Sequence, residues 1–447
     1  MTIADPVEGK RVFDLDRSYV FHSWSAQKAL KPMCIAGAQG SHFWDYDGNK
    51  FLDFSSQLVN VNIGHQHPKV IAAIQEQAGK LATVAPQHAN DKRGEAAQRI
   101  VEVAGGKAAK VFFTNGGADA VENAIRMARL HTHKHKILSA YRSYHGNTGA
   151  AMQATGDPRR WPNEYSAQQV HFFGPHFYRS EFWSATPEQE SERALTHLEH
   201  VIQFEGPSTV GAVLLESVVG TAGVLVPPPG YLEGVRALCD KYEIIMILDE
   251  TMSGFGRTGK WFAYQNWDVK PDLTVFAKGS NSGYVPIGGV IMSAEIASTF
   301  DERAFPGGLT YSGHPLAAAS VVASIDAMKE EKIIENAASI GENVLGPGLR
   351  ELAEKHPVIG DVRGLGVFWA LDLVTNRETR EPLAPYGGTS QGMTDLITAC
   401  KTRGLMPFAN FNRMHVVPPC VVTESEAREG LEILDQAFGD IDSYYQG

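Results

Sequence analysis

Residues 244–279 read IIMILDETMSGFGRTGKWFAYQNWDVKPDLTVFAKG. The apolar run Ile244 to Leu248 stops at a carboxylate pair, Asp249-Glu250. A Gly-rich loop follows, and a second apolar run, Leu273 to Ala277, ends on Lys278 with Gly279 behind it. Each run is short and continuously apolar, the pattern of a strand buried on both faces of a parallel sheet. Ligands of such sheets bind beyond the carboxyl ends of the strands, so Asp249 and Lys278 are expected at one rim.

A buried carboxylate and a buried amine are costly unless each has a partner. Two readings follow. The pair forms a structural ion pair or lies in a solvated loop, or it satisfies the two ends of a cofactor. Pyridoxal phosphate (PLP) needs a lysine for its Schiff base and an acid facing its pyridine nitrogen. That lysine, once freed, can move a proton if burial lowers its pKa. The intervening loop, Gly254 to Lys260, begins like a phosphate-cradling P-loop but has Trp261 where that motif requires Ser or Thr. Its strand also ends in acid, so a nucleotide triphosphatase is not expected.

The bulk properties narrow the class. A chain of 447 residues, 43% hydrophobic and 20% charged, is long enough for a large core with two or three subdomains. Its net charge of -11 argues against nucleic acid or an anionic membrane as partner. Cys34, Cys239, Cys400 and Cys420 form no CxxC pair, which argues against a zinc site and suits a reducing cytoplasm. The polar N-terminus resembles no signal peptide, and no apolar stretch approaches the ~20 residues that span a bilayer.

Residues 1–60 form an entry segment in which Phe43 to Phe54 alternates around an Asp47-Gly48 turn, a hairpin signal. Trp24 is either a pocket wall or ordinary packing. His65 and His67 flank a turn and read as structural, with no metal implied. A helical pattern follows at Val70, Ile74 and Ala78.

From Val111 the rhythm becomes strand, glycines, helix. Val111 to Phe113 is a strand, Gly116-Gly117-Ala118 a turn, and Val121, Ala124, Ile125 and Ala128 one face of a helix. Such a turn offers free N–H groups and the positive end of a helix dipole to a phosphate. Further strands are Ile137 to Ala140, leading to Tyr144-His145, and Ala212 to Leu215, ending at Glu216. A flat side chain such as Tyr144 can stack on a flat ring. The tips of five strands thus carry Gly116-Gly117, Tyr144, Glu216, Asp249 and Lys278. Their convergence is expected of a doubly wound parallel sheet with a cofactor at its carboxyl edge. After the helical run Ala317 to Lys329 the composition shifts. A glycine-rich strand from Val362 to Leu371, an exposed loop over 375–392 and a strand region from Met414 to Pro419 indicate a smaller α+β unit.

Along nearly its whole length the chain resembles the class III (omega-type) aminotransferases, fold type I PLP enzymes. The matching blocks are FFTNGGADAVENAIRMAR (112–129), YHG (144–146), LLES followed by Gly220 (214–220), ILDETMSGFGRTGKWFA (247–263), AKG (277–279) and GLTYSGHP (308–315). The resemblance implies an α/β fold with a large doubly wound, mostly parallel domain (61–329) and a small α+β domain built from both termini (1–60 and 330–447). It implies Lys278 as Schiff-base and proton-shuttle lysine, Asp249 on the pyridine nitrogen, Thr251 on one ring face and Tyr144 on the other, with His145 beside it. Gly116, Gly117 and Ala118 would cup the phosphate, and Thr310 would reach it from the neighbouring subunit of a homodimer, alone or within a tetramer. Glu216 would line the site and balance a mobile arginine.

The chain departs from the family at three places. Its phosphate cup reads Gly116-Gly117-Ala118 where Ser-Gly-Ser or Ser-Gly-Thr is usual. Val59 stands near the place of a tryptophan in many amine-active members. Phe408 falls where a gapless match puts the substrate-carboxylate arginine; Arg413, five residues on, is the substitute, with a surface role as its alternative. The expected activity is ping-pong transfer of an amino group from an omega-amino acid or amine (beta-alanine, taurine or 4-aminobutyrate type) to pyruvate or a similar keto acid. The alternative on the same scaffold is a PLP-dependent lyase, decarboxylase or mutase.

Overall fold

A computed structural model describes residues 4–163 and 169–447 of the chain. Among them the large sheet takes seven strands: β1 (Ala108–Thr114), β2 (Lys136–Ala140), β3 (Gln169–Phe172), β4 (Val210–Glu216), β5 (Ile245–Asp249), β6 (Leu273–Phe276) and β7 (Gly288–Ser293). Their spatial order is β1-β7-β6-β5-β4-β2-β3. Neighbours pair in parallel except at β7, which runs antiparallel to both β1 and β6.

β4 and β5 are buried at every position, and alternate residues feed two separate cores. Val213, Leu215, Met246 and Leu248 pack with the helices Pro187–Glu205, Tyr231–Tyr242 and α2 (Pro315–Glu330). Ala212, Leu214, Ile245 and Ile247 pack on the other face against α1 (Gly117–Thr132). A strand covered on both sides has no solvent face, which is why these runs are apolar throughout rather than alternating. Glu216 pairs in register with Asp249, and Asp249 with Val275, so three adjacent strands end at one level.

The chain's two ends share a sheet, because Lys50–Asp53 pairs in parallel with Leu405–Met406. His42–Asp45 and Lys50–Asp53 form the antiparallel hairpin expected around Asp47-Gly48. A second C-terminal sheet has the order β8-β9-β11-β10, with β8 (Ile359–Leu365), β9 (Phe368–Asn376), β10 (Phe408–Asn410) and β11 (Arg413–Val416). The glycine-rich run from Val362 to Leu371 is therefore a hairpin, not one strand. Leu365 pairs with Phe368 around Gly366, which has φ +55°. Apolar residues continue through that turn, which hid it from the sequence pattern. The 375–392 stretch is likewise less open than a loop, since Leu383 and Ala384 are buried and Glu381–Pro382 pairs with β9.

Candidate active site

The tips of β1, β4, β5 and β6, with the segment that follows β2, meet around a cavity of about 380 Å³. Gly116, Gly117, Ala118, Tyr144, His145, Glu216, Asp249, Thr251 and Lys278 all line it. Residues far apart in the chain are brought together because parallel strands deliver their carboxyl ends to one edge.

Asp249 is held by both oxygens. Nδ1 of His145 lies 2.9 Å from Oδ2, and the Thr251 amide donates to Oδ1 at 3.0 Å. An ionised carboxylate only accepts, so the His145 Nδ1 carries the proton in that pair. No carboxylate among the described residues comes within ion-pairing distance of Lys278, so the structural ion-pair reading fails. Burial is the largest influence on this amine and pulls its pKa down to about 8, against the opposing pull of Asp249 and Glu216. Its backbone is left-handed, φ +38°.

Glu216 accepts from the amides of Tyr144 at 3.0 Å and Gly220 at 2.8 Å. Burial pushes its carboxyl up to about 7, and the neighbouring charge of Asp249 adds to the effect. At the opposite end of the cavity Gly116 caps α1, whose first amides have no intrahelical acceptor. A Cβ on Gly117 would stand 2.9 Å from Thr251 Cγ2, so glycine there permits the close approach of Thr251. Thr251 Oγ1 is buried without a partner among the described residues. A helix N-terminus for a phosphate, an oriented carboxylate for a ring nitrogen and an unpaired amine between them fit pyridoxal phosphate.

Two neighbours of the site were invisible in the sequence. Arg159 places its guanidinium 3.5 Å over the Tyr144 ring centroid while pairing through Nε with Asp157 at 3.0 Å. A cation on one face steadies the ring plane. Nothing in the Asp157-Pro-Arg159 loop signals that contact. Leu58, rather than Val59, lines the cavity. Val59 has φ +57° and is fully buried beside Val218, Val224 and Phe368. Trp24 is 67% exposed and Thr310 is exposed, and neither lines the cavity. Phe408 packs on His415, with ring centroids 4.7 Å apart. Arg413 is buried rather than superficial, and it faces a different chamber.

The C-terminal sheet grips the site through four consecutive carbonyls. His415 Nε2 donates to Gly220 O at 3.0 Å, Asn410 Nδ2 to Thr221 O at 3.1 Å, Arg413 Nη1 to Ala222 O at 2.6 Å and Arg363 Nε to Gly223 O at 2.6 Å. The Gly220 amide in turn holds Glu216, and Glu216 holds Tyr144. Behind Lys278, the fully buried Arg257 donates to Asn62 Oδ1 at 2.6 Å, Ser56 Oγ at 3.2 Å and the Pro418 carbonyl. It has no carboxylate partner among the described residues, so neutral acceptors alone carry this cation.

A doubly wound sheet bearing this acid, amine and helix terminus at one rim defines a fold type I PLP-dependent transferase. The chain belongs to the class III aminotransferases, whose family model matches residues 24–438. It is 42% identical to the taurine:2-oxoglutarate aminotransferase of Bifidobacterium kashiwanohense, solved in complex with PLP and glutamate. That comparison covers 97% of this chain and 98% of that one, with a TM-score of 0.94. It is 31% identical over 459 residues to the taurine–pyruvate aminotransferase of Bilophila wadsworthia, covering 96% and 97% of the two chains. With the putrescine–pyruvate aminotransferase of Pseudomonas aeruginosa it shares 35% identity over 410 residues, 88% of each chain.

Proposed function

We propose that the protein transfers an amino group from an omega-amino acid or amine to pyruvate or a similar 2-oxo acid by a ping-pong route. The observation that carries this reading is the convergence of Asp249, Lys278 and the α1 N-terminus on one cavity. Bound pyridoxal phosphate supplies a carbonyl to take the amino group and a ring to accept the electron pair released at the donor carbon. Asp249, fixed by His145 and the Thr251 amide, keeps the proton on the ring nitrogen. Lys278 holds the cofactor, then removes the proton at the donor carbon. Its lowered pKa leaves a usable share of free amine near neutral pH. Thr251 and Tyr144 bound the two ring faces, and the 116–118 amides receive the phosphate.

On the same reading Thr310, exposed here, completes the phosphate site of a neighbouring copy in a homodimer with shared active sites. The domains divide as 1–60 with 330–447 against 61–329, which the pairing of residues 50–53 with 405–406 supports. Four free cysteines, three of them buried, support a reducing cytoplasm. No described helix is long and apolar enough to cross a membrane.

A donor panel against pyruvate, read as alanine, tests the function. Alanine should form with at least one omega-amino donor, and borohydride should fix the cofactor on Lys278. Full transamination by Lys278→Ala, or ammonia release without an acceptor, would refute the mechanism.

A further inference from the structure

A second chamber, of about 360 Å³, lies where Tyr141 and Phe173, just past the ends of β2 and β3, face the C-terminal sheet; it shares no lining residue with the cofactor cavity. Arg142, Arg179 and Arg413 line it together with His176, Phe173 and Tyr386. Arg363 lies near enough to bear on both His176 and Arg413.

Three of these four guanidiniums are neutralised. Arg142 pairs with Glu181 at 2.6 Å, Arg179 with Asp372 at 2.7 Å and Arg363 with Asp361 at 2.6 Å. Arg413 has no carboxylate among the described residues within ion-pair distance. Its donors go to the carbonyls of Ala222 at 2.6 Å and Asn410 at 3.4 Å. Carbonyls satisfy hydrogen bonds but do not cancel a unit charge in a side chain this buried. Burial, with a smaller push from Arg363, draws its pKa down to about 10 against the opposing pull of Asp372, whose carboxylate also lines the chamber but is taken up by Arg179 and Asn412.

His176 is 7% exposed, and neither ring nitrogen has a partner among the described residues, although its backbone amide donates to Glu190. Buried polar groups with no partner are rare and call for an explanation. Burial first, then Arg363, Arg142, Arg179 and Arg413, hold the ring well below its ordinary pKa. A neutral imidazole offers one donor and one acceptor. The chamber therefore presents a planar cation for one negative group, an imidazole for one polar group, and the Phe173 ring for a short carbon chain between them.

We propose that this chamber binds a small 2-substituted carboxylate (a 2-oxo, 2-hydroxy or 2-amino acid), with its carboxylate on Arg413 and its 2-substituent on His176. The acceptors and products of transamination belong to this class, so the biological meaning of the site rests on the proposed function, but its chemistry does not.

L-lactate is the probe, because it lacks the carbonyl needed to accept an amino group. Equilibrium dialysis of labelled L-lactate against the cofactor-loaded enzyme should show saturable binding. His176→Phe fills the chamber and removes both nitrogens, and should weaken Kd by about tenfold, the loss of one or two hydrogen bonds. His176→Gln keeps a donor and an acceptor and should stay near wild type. Phe173→Trp, filling the chamber from an already part-exposed wall, is the second filler should His176→Phe not fold. Absence of saturable binding, filler variants that bind like wild type, or equal losses from Gln and Phe would each overturn the inference. Lactate held in the cofactor cavity instead would ignore all three substitutions. Missing lactate binding with intact alanine formation removes only the chamber. Missing alanine formation with intact lactate binding removes only the functional reading.

Discussion

The phosphate cup offers a two-sided test. At Gly116 the backbone is extended, φ 179°, and an added Cβ would meet only Asp119 Oδ1, at 3.6 Å. Serine therefore fits at this position without displacing anything. At Gly117 an added Cβ would stand 2.9 Å from Thr251 Cγ2 and 3.1 Å from its Oγ1, so Thr251 must move. A hydroxyl introduced in place of Gly116 that reaches the phosphate adds a hydrogen bond worth about 0.5–1.5 kcal/mol. Cofactor Kd should then fall by about 2- to 12-fold in Gly116→Ser. Overpacking at Gly117 costs about 1–3 kcal/mol of folding stability, and because it pushes Thr251 off its place in the cavity, Gly117→Ala should raise the cofactor Kd while lowering the thermal midpoint. The assay is titration of cofactor-free protein with pyridoxal phosphate, followed by absorbance. The introduced hydroxyl could instead cap α1, as serine does at many helix starts. Thermal midpoints of the cofactor-free proteins are therefore measured alongside. A folded Gly116→Ser with a raised midpoint and an unchanged or weaker Kd would refute the placement of phosphate at this turn.

Three further outcomes are expected. Because Glu216 has a carboxyl raised from the usual 4.5 to about 7, its charged form is disfavoured by folding, and stability is lost as pH rises through that window. Glu216→Gln does not titrate, so urea melts of cofactor-free protein should show it gaining about 2–3 kcal/mol on wild type between pH 5 and pH 8; a constant difference would sink the assignment. Arg257→Lys should destabilise by about 3 kcal/mol or more, and by more than Arg257→Met, because lysine leaves a buried charge that cannot fork to Asn62, Ser56 and Pro418 together; denaturant midpoints of the two variants check the order. Asn410→Ala removes one of the four grips on the 220–223 loop and should cost about 1 kcal/mol in stability. It should also lower kcat/KM for alanine formation several-fold through Glu216, whereas an effect on melting alone would uncouple the loop from the site.

The central sheet was legible because burial on both faces writes an unmistakable pattern. The runs at 212–215, 244–248 and 273–277 fall on β4, β5 and β6, and the polar residue that ends each run marks the rim. The tips were legible for the same reason: a charge at the end of an apolar run has few structural uses. What stayed hidden depends on turns and long-range packing. Val59 is apolar at an inward position by every local criterion, yet a left-handed stretch at Ser56, Gln57 and Val59 buries it and turns Leu58 to the cavity. The contact between Arg159 and Tyr144 is made across a loop, where no periodicity reports on geometry. Arg413 was reached only through the family resemblance, as the arginine nearest to Phe408. Its chamber depends on Arg142 and His176, hundreds of positions upstream in the chain.

The four-carbonyl grip has a consequence for biosynthesis. A nascent chain that has emerged as far as residue 405 already carries Asp249, Lys278 and the α1 N-terminus. Three of the four side chains that tether the 220–223 loop still lie ahead of it, at Asn410, Arg413 and His415. The 220–223 wall of the cavity thus stays slack until residues 410–415 have emerged, and ribosome-bound intermediates stalled short of them should capture cofactor poorly.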